Sequence, residues 1–334
     1  MLESIKTLLG QDWVRAMEMI RMSLKSDIRL LDSTNEAILS SGGKQLRPMI
    51  SLLVSRALAP CGEARGQGGL LPEDSVRFAA AAELLHNATL LHDDGADSSP
   101  ERRGAPTVMS LLGGPASVLI GDYWLVRAMD NILSSSSYGN IVIRIFAKTL
   151  SDLAEGEMLQ LQKAESGDTT EEDYSRIIYS KTASLFEATG VSAAISVGAP
   201  DEMVEAVREY CVSLGMAFQI RDDMFDYSEG LEIGKPIGAD LDERKITLPL
   251  LGALKSVGKE EEARIREMIV GIPSNPEYKS EVRDFVMSRG GLSYAEARLL
   301  EYSEKATSAL GLFPESAEKD YLVKIARFTA TRNK

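Results

Sequence analysis

Apolar positions recur at helical spacing along most of the chain. Leu2, Ile5, Leu8 and Leu9, then Trp13, Met17, Ile20 and Met22, alternate with charged residues and predict two short helices within residues 1–40, broken near Gly10 or at Ser26-Asp27. A glycine-rich turn from Ser41 to Pro48 leads into an apolar helix from Met49 to Leu58, and the glycines between Pro60 and Pro72 predict a loop. A long apolar helix follows from Pro72-Glu73-Asp74-Ser75 to Asp97, with proline and acids at its positive end. After a polar loop, Ser98 to Pro106, come a short apolar stretch, Val108 to Leu112, and helices over Ala116–Leu133 and Ile141–Lys163. Tyr174–Val197 reads as an apolar helix interrupted at Gly190, and Glu202–Tyr227 as another long one. Ser228–Ile246 is a glycine- and charge-rich loop, and Thr247–Lys255, Glu260–Val270, Lys279–Arg289 and Tyr294–Leu310 complete a helical tail. There is no strand alternation, low-complexity tract or short repeat. The pattern predicts one continuous all-α domain over residues 1–334, with several helices buried on most sides.

The helix that starts at Pro72 ends against the rule of helix dipoles. Asp93, Asp94 and Asp97 sit where the dipole is negative and cations belong. Asp93 and Asp97 are four residues apart, so they share a face about 6 Å apart along the axis. Like charges so placed repel unless one is protonated or a cation lies between them. A single such triplet is an ordinary solvated helix end. Asp222, Asp223 and Asp226 repeat it at the end of a second long apolar helix, about 130 residues on. If the two helices pack side by side, six carboxylates face one cavity. Hard oxygen ligands suit Mg²⁺, which keeps waters and bridges to substrate phosphates; zinc prefers imidazole and thiolate.

Composition narrows the partners. A net charge of −13 argues against nucleic acid, whose phosphates need a basic face. Cys61 and Cys211 form no spaced motif, which predicts a reducing compartment and no structural zinc. No apolar run approaches ~18 residues, so no membrane span is expected, and the acid-bearing start Met1-Leu2-Glu3 lacks a signal-peptide core; a cytoplasmic protein is expected.

Against that acidic background the basic residues in turns stand out. Gly43-Lys44-x-x-Arg47 offers close backbone approach, a point charge and a bidentate fork, without being a P-loop. Arg102-Arg103 follow the first acid cluster, Lys181-Thr182 sit in a helix, Lys235 follows Gly234, and Lys245 lies two before Thr247. Each alone reads as a surface residue; together with two acid clusters they suit phosphoryl oxygens. His86 lies two turns before Asp93 on the same face and is read as a substrate contact, His92 as a structural histidine.

With both clusters in hand, the chain resembles the trans-isoprenyl diphosphate synthases of the polyprenyl synthetase family. The resemblance runs through Gly42-Gly43-Lys44-x-x-Arg47-Pro48, Leu90-Leu91-His92-Asp93-Asp94-x-x-Asp97 with Arg102-Arg103-Gly104, and Gly121-Asp122-Tyr123. It continues through Gly156-Glu157, Lys181-Thr182-Ala183-Ser184-Leu185, Phe218-Gln219-Ile220-x-Asp222-Asp223-x-x-Asp226, and Gly234-Lys235-Pro236 to Asp240. It implies a helical bundle around a central active-site cavity, usually a homodimer, that condenses an allylic diphosphate with isopentenyl diphosphate. On that resemblance Asp93, Asp94, Asp97, Asp222, Asp223 and Asp226 would hold about three Mg²⁺. Arg102, Lys181 and Lys235 would contact the allylic diphosphate, and Lys44, Arg47, His86 and Arg103 the isopentenyl diphosphate. Thr182 and Gln219 would offer oxygens to the carbocation. The family commonly has glycine before Lys245, where this chain has Arg244, a departure that bears on the loop geometry there.

The hydrocarbon should run back along the first helix, past Thr89, Ala88, Leu85 and Ala82. Short-chain relatives close the tunnel with a large aromatic at the position of Ala88 or Thr89. Both are small here, so a long-chain product of roughly C30 to C50 is expected rather than a farnesyl or geranylgeranyl product. A class I terpene cyclase would carry a different second metal motif, and a non-catalytic partner subunit would lack an acid cluster.

Overall fold

The computed structural model describes residues 1–41, 43–59, 69–96, 100–102, 104–227 and 238–332. Its helices are α1 (Leu2–Leu9), α2 (Gln11–Ser23), α3 (Arg29–Ser40), α4 (Leu46–Leu58), α5 (Glu73–Ala96), α6 (Val108–Leu112), α7 (Gly114–Leu133), α8 (Gly139–Ser166) and α9 (Glu171–Ile178). After a π-helical turn at Tyr179–Ala183 come α10 (Ser184–Ser196), α11 (Asp201–Phe225), α12 (Ala239–Asp242), α13 (Leu248–Leu254), α14 (Lys259–Gly271), α15 (Tyr278–Ser288), α16 (Gly291–Ala309) and α17 (Ala317–Thr331). The fold is all-α. The strands among the described residues are β1 (Glu101–Arg102) and β2 (Ala105–Pro106), which pair antiparallel.

The chain forms two compact units. The first comprises residues 1–147, 187–208 and 312–322. Its centre is α5, packed by α7, α4 and α2. Phe78, Ala79, Ala80, Ala81, Ala82, Leu84 and Leu85 are fully buried, so the helix is covered nearly all round, as an apolar helix without a polar face requires. Its alanines let neighbouring helices approach, and two of the buried hydroxyls nearby are paired: Ser75 Oγ lies 2.6 Å from Ser196 Oγ, and Ser55 donates to the Ala193 carbonyl at 3.1 Å. Trp124 of α7 is fully buried and donates to Asn35 Oδ1 at 2.8 Å, while Asn35 Nδ2 donates to the Leu24 carbonyl.

The second unit comprises residues 148–186, 209–311 and 323–334. Here α13 packs on α16, α15 and α9 around Leu250, Leu251, Ala253, Ile269, Val286 and Leu299. A reciprocal capping box of Thr170 and Asp173 starts α9.

Three differences from the sequence pattern bear on function. The break expected at Gly190 falls instead at the π-turn, and Gly190 is buried inside α10. The loop expected from Ser228 contains the short α12. The helical tail does not end at Leu310, because α17 follows. Among the described residues no helix is long and apolar enough to cross a membrane.

Candidate active site

Asp93 and Asp94 of the first acid cluster lie in the last turn of α5, a turn without basic residues. Asp93 is exposed. Asp94 is buried, 5 % exposed, and its Oδ1 accepts from Arg102 Nε at 2.9 Å and Nη2 at 2.8 Å. The Glu101–Arg102 strand thus brings the guanidinium expected on diphosphate against a carboxylate of the cluster. Asp97 and Arg103 lie outside the described residues. His92 Nε2 meets Asp122 Oδ1 at 3.0 Å, so it ties α5 to α7, in keeping with its structural reading. Ala88 and Leu85 are buried, and the Thr89 hydroxyl donates to the His86 carbonyl at 2.8 Å. Lys44 and Arg47 flank the N-terminus of α4, where unpaired backbone N–H groups favour anions.

In the second cluster the carboxylates are not equivalent. Asp222 is 39 % exposed and paired with Arg332, whose guanidinium is 6 % exposed and lies 4.1 Å from the Phe218 ring centroid and 5.3 Å from that of Phe225. Asp223 is buried; Tyr174 Oη donates to its Oδ2 at 2.7 Å and Gln219 Nε2 to its Oδ1 at 2.8 Å. Burial, the charge of Asp240 and that of Asp222 push its carboxyl up to about 8 against those two donors. Asp226 accepts the backbone N–H groups of Ala239 at 2.9 Å and Asp240 at 3.1 Å, so it caps α12. Burial raises its carboxyl, and the N–H groups of Asp240, Ala239 and Gly238 oppose the rise.

Lys181 and Thr182 project from the π-turn, a geometry that recurs at functional positions. The turn sits close against two glycines: a Cβ on Gly156 would come within 2.6 Å of Ser180 Cβ, and one on Gly215 within 2.5 Å of Ala183 Cα. Lys181 Nζ donates to Gln160 Oε1 at 3.1 Å and pairs with Glu157. Thr182 Oγ1 donates to Gln219 Oε1 at 2.7 Å. Lys235 lies outside the described residues. Lys245 pairs with Glu243 and lies 4.0 Å from Asp240 Oδ1; burial works against its ammonium, but the charges of Asp240 and Glu243 outweigh it and hold the pKa above the ordinary value. Arg244 has φ 56°, in the left-handed region. The turn needs positive φ, and this chain adopts it with a side chain that makes it less favourable than glycine would.

The chemistry of the donors fits a hard divalent cation. Asp222, Asp223 and Asp240 are close enough for their like charges to act on one another, and a cation relieves that repulsion. Among the described residues no three acidic, histidine or cysteine groups converge on one ion position, because Asp94, Asp222, Asp223 and Asp226 are turned to Arg102, Arg332, Tyr174 with Gln219, and α12 respectively. Tyr174, Asp240 and Arg332 are residues that pattern reading did not single out as part of the site. Asp240 carried a signal, as the end of the Gly234-to-Asp240 stretch; the other two depend on contacts across 49 and 110 residues.

The polyprenyl synthetase family profile matches residues 28–286. Over 334 residues the chain is 36 % identical to the octaprenyl diphosphate synthase of Escherichia coli (strain K12), an alignment covering 100 % of this chain and 99 % of that one. A crystal structure of a decaprenyl diphosphate synthase from Rhodobacter capsulatus superposes with a TM-score of 0.88 at 32 % identity, covering 100 % of both chains. A polyprenyl synthase from Caulobacter crescentus CB15, complexed with calcium and isoprenyl diphosphate, gives 0.88 at 31 % identity, covering 100 % of this chain and 98 % of that one. The chain belongs to the polyprenyl synthetase family, and it is a prenyltransferase.

Proposed function

We propose that this chain, as a single synthetase domain, condenses an allylic diphosphate with isopentenyl diphosphate, head to tail and in trans, to give a long-chain polyprenyl diphosphate. The observation that carries the reading is the pair of Asp-Asp-x-x-Asp clusters, each ending a long helix, in a chain so similar throughout to an octaprenyl diphosphate synthase. The ions are about three Mg²⁺, the hard cation that carboxylates and diphosphate share. Their ligands come from Asp93, Asp94, Asp97 and Asp222, with Asp223 and Asp226 fixing the helix end that carries Asp222. Bound Mg²⁺ stabilises the charge that develops on pyrophosphate as the allylic C–O bond ionises.

The chain's own groups do the rest. Arg102, Lys181 and Lys235 hold the allylic diphosphate, and Lys44, Arg47, His86 and Arg103 the isopentenyl diphosphate. Lys245 adds positive charge beside Asp240. Thr182 and Gln219 present oxygens to the allylic cation, and released pyrophosphate takes the proton. Ala88 and Thr89 leave room for a long hydrocarbon.

The protein acts as a homodimer. Leu119, Val126 and Leu133 recur at seven-residue spacing on α7 and are 68, 56 and 57 % exposed, with Leu111 and Ile141 also exposed. Light scattering of the purified protein should give twice the chain mass.

Farnesyl and isopentenyl diphosphates with Mg²⁺ should yield a long polyprenyl diphosphate on product sizing; absence of elongation, with both substrates verified, overturns the reading. Ala88→Phe should shorten the product, and an unchanged length would remove Ala88 from length control.

A further inference from the structure

We propose that Tyr174 is a positioning residue for the carbocation-facing oxygens, acting through Asp223 and Gln219 on Thr182. The inference rests on the prenyltransfer reading above. Four side chains form one directed hydrogen-bond series in the second unit: Tyr174 Oη to Asp223 Oδ2 at 2.7 Å, Gln219 Nε2 to Asp223 Oδ1 at 2.8 Å, and Thr182 Oγ1 to Gln219 Oε1 at 2.7 Å. The Gln219 amide turns its NH₂ to Asp223 and its oxygen to Thr182. The Thr182 hydroxyl then spends its one proton on Gln219, and the lone pairs of Oγ1 are left to face a developing cation. With that amide reversed, Thr182 would aim its proton elsewhere, the wrong polarity for stabilising positive charge.

Tyr174 sets the far end of this series. Its ring is buried, 4 % exposed, in the same core as Ile220 and Met224. It stands on α9 one residue after the Thr170–Asp173 capping box, so its position is fixed by the helix start as well as by packing. Each Asp223 oxygen accepts a bond from within the protein, one from Tyr174 and one from Gln219, so on this proposal buried Asp223 is the relay and metal contact is assigned to the more exposed Asp222. The series spans α9, α11 and the π-turn, and it explains why a phenol, a carboxyl and an amide that need not touch substrate should bear on the rate.

The test is Tyr174→Phe, compared with Asp223→Asn and with a double-mutant cycle against Thr182→Val. With farnesyl and isopentenyl diphosphates, Tyr174→Phe should lower kcat roughly 10- to 100-fold by misplacing Thr182, with KM for isopentenyl diphosphate unchanged. In the Thr182→Val background Tyr174→Phe should cost no further rate, because the group it positions is gone. Thr182→Ser, which keeps the hydroxyl, should restore coupling to Tyr174. Binding of Mn²⁺ to substrate-free protein, read by electron paramagnetic resonance, should be unchanged in Asp223→Asn and weakened in Asp222→Asn. Additive effects in the cycle, an unchanged kcat in Tyr174→Phe, or equal loss of Mn²⁺ by the two aspartate variants would each overturn the proposal. If Tyr174→Phe does not fold, the same double-mutant cycle run with Asp223→Asn against Thr182→Val decides, additive effects again overturning the proposal. A wild-type protein that elongates nothing defeats the prenyltransfer reading instead, and an active wild type with an equally active Tyr174→Phe defeats only this one.

Discussion

At the end of α5 the documented partner of Asp94 is Arg102, eight residues away in a two-residue strand. At the end of α11 the corresponding carboxylates reach much further along the chain: Asp222 to Arg332 across 110 residues, Asp223 to Tyr174 across 49, and Asp226 to the N-terminus of α12. The two clusters have the same spacing and the same unfavourable place on a helix dipole. Identical motifs therefore carry different demands. In the first, Asp94 meets a neighbouring cation, and the second holds distant parts of its unit in register. A spacing identifies which residues hold charge, but their partners decide which of them are free to turn to a ligand.

The largest effect should come from one proposed ligand in each cluster. Asp93→Asn and Asp222→Asn should each lower kcat roughly 10²- to 10³-fold in the elongation assay. An active Asp222→Asn beside an inactive Asp93→Asn would reduce the second cluster to a structural device and break the parallel. Next comes the tie between α11 and the end of α17. Arg332→Gln removes an ion pair and stacking on two rings, and should cost about 2 kcal/mol in urea unfolding followed by circular dichroism. Unchanged stability would mean that Asp222 gains nothing structural from its partner. The smallest effect belongs to the helix cap. Asp226→Ala leaves two N–H groups of α12 without their acceptor and should cost about 1 kcal/mol, with Mn²⁺ binding retained. Loss of Mn²⁺ binding there would make Asp226 a ligand and restore the symmetry of the two clusters.

Much of this was legible from residue pattern. The acids at the ends of α5 and α11 announced themselves because they oppose a helix dipole, and that is a local property. The long helices were legible because their apolar residues keep helical spacing. The interruption in the segment after Tyr174 was expected at Gly190, the local helix breaker; it occurs at Tyr179–Ala183, where Gly156 and Gly215 make room for the turn. That room is supplied by residues distant in sequence, so no local pattern could reveal it. The same holds for the partners of Asp223 and Asp222. The helix α17 is a different case: Leu322, Ile325, Ala326 and Thr329 are buried at helical spacing, so the signal was present beyond Leu310, where the expected tail ended. Arg244 shows a third kind, since it holds a left-handed backbone without the glycine that would mark one in the residue pattern.

The indole of Trp124, locked on Asn35, has a consequence for spectroscopy. The two tryptophans, Trp13 and Trp124, both belong to the first unit. Indole emission during denaturation therefore reports on the surroundings of α5 and α7, whereas ellipticity at 222 nm averages over every helix. Superimposed curves from the two signals would mean that the units melt as one cooperative body, and separated curves would mean that the first unit, which carries Asp93 and Asp94, melts apart from the rest.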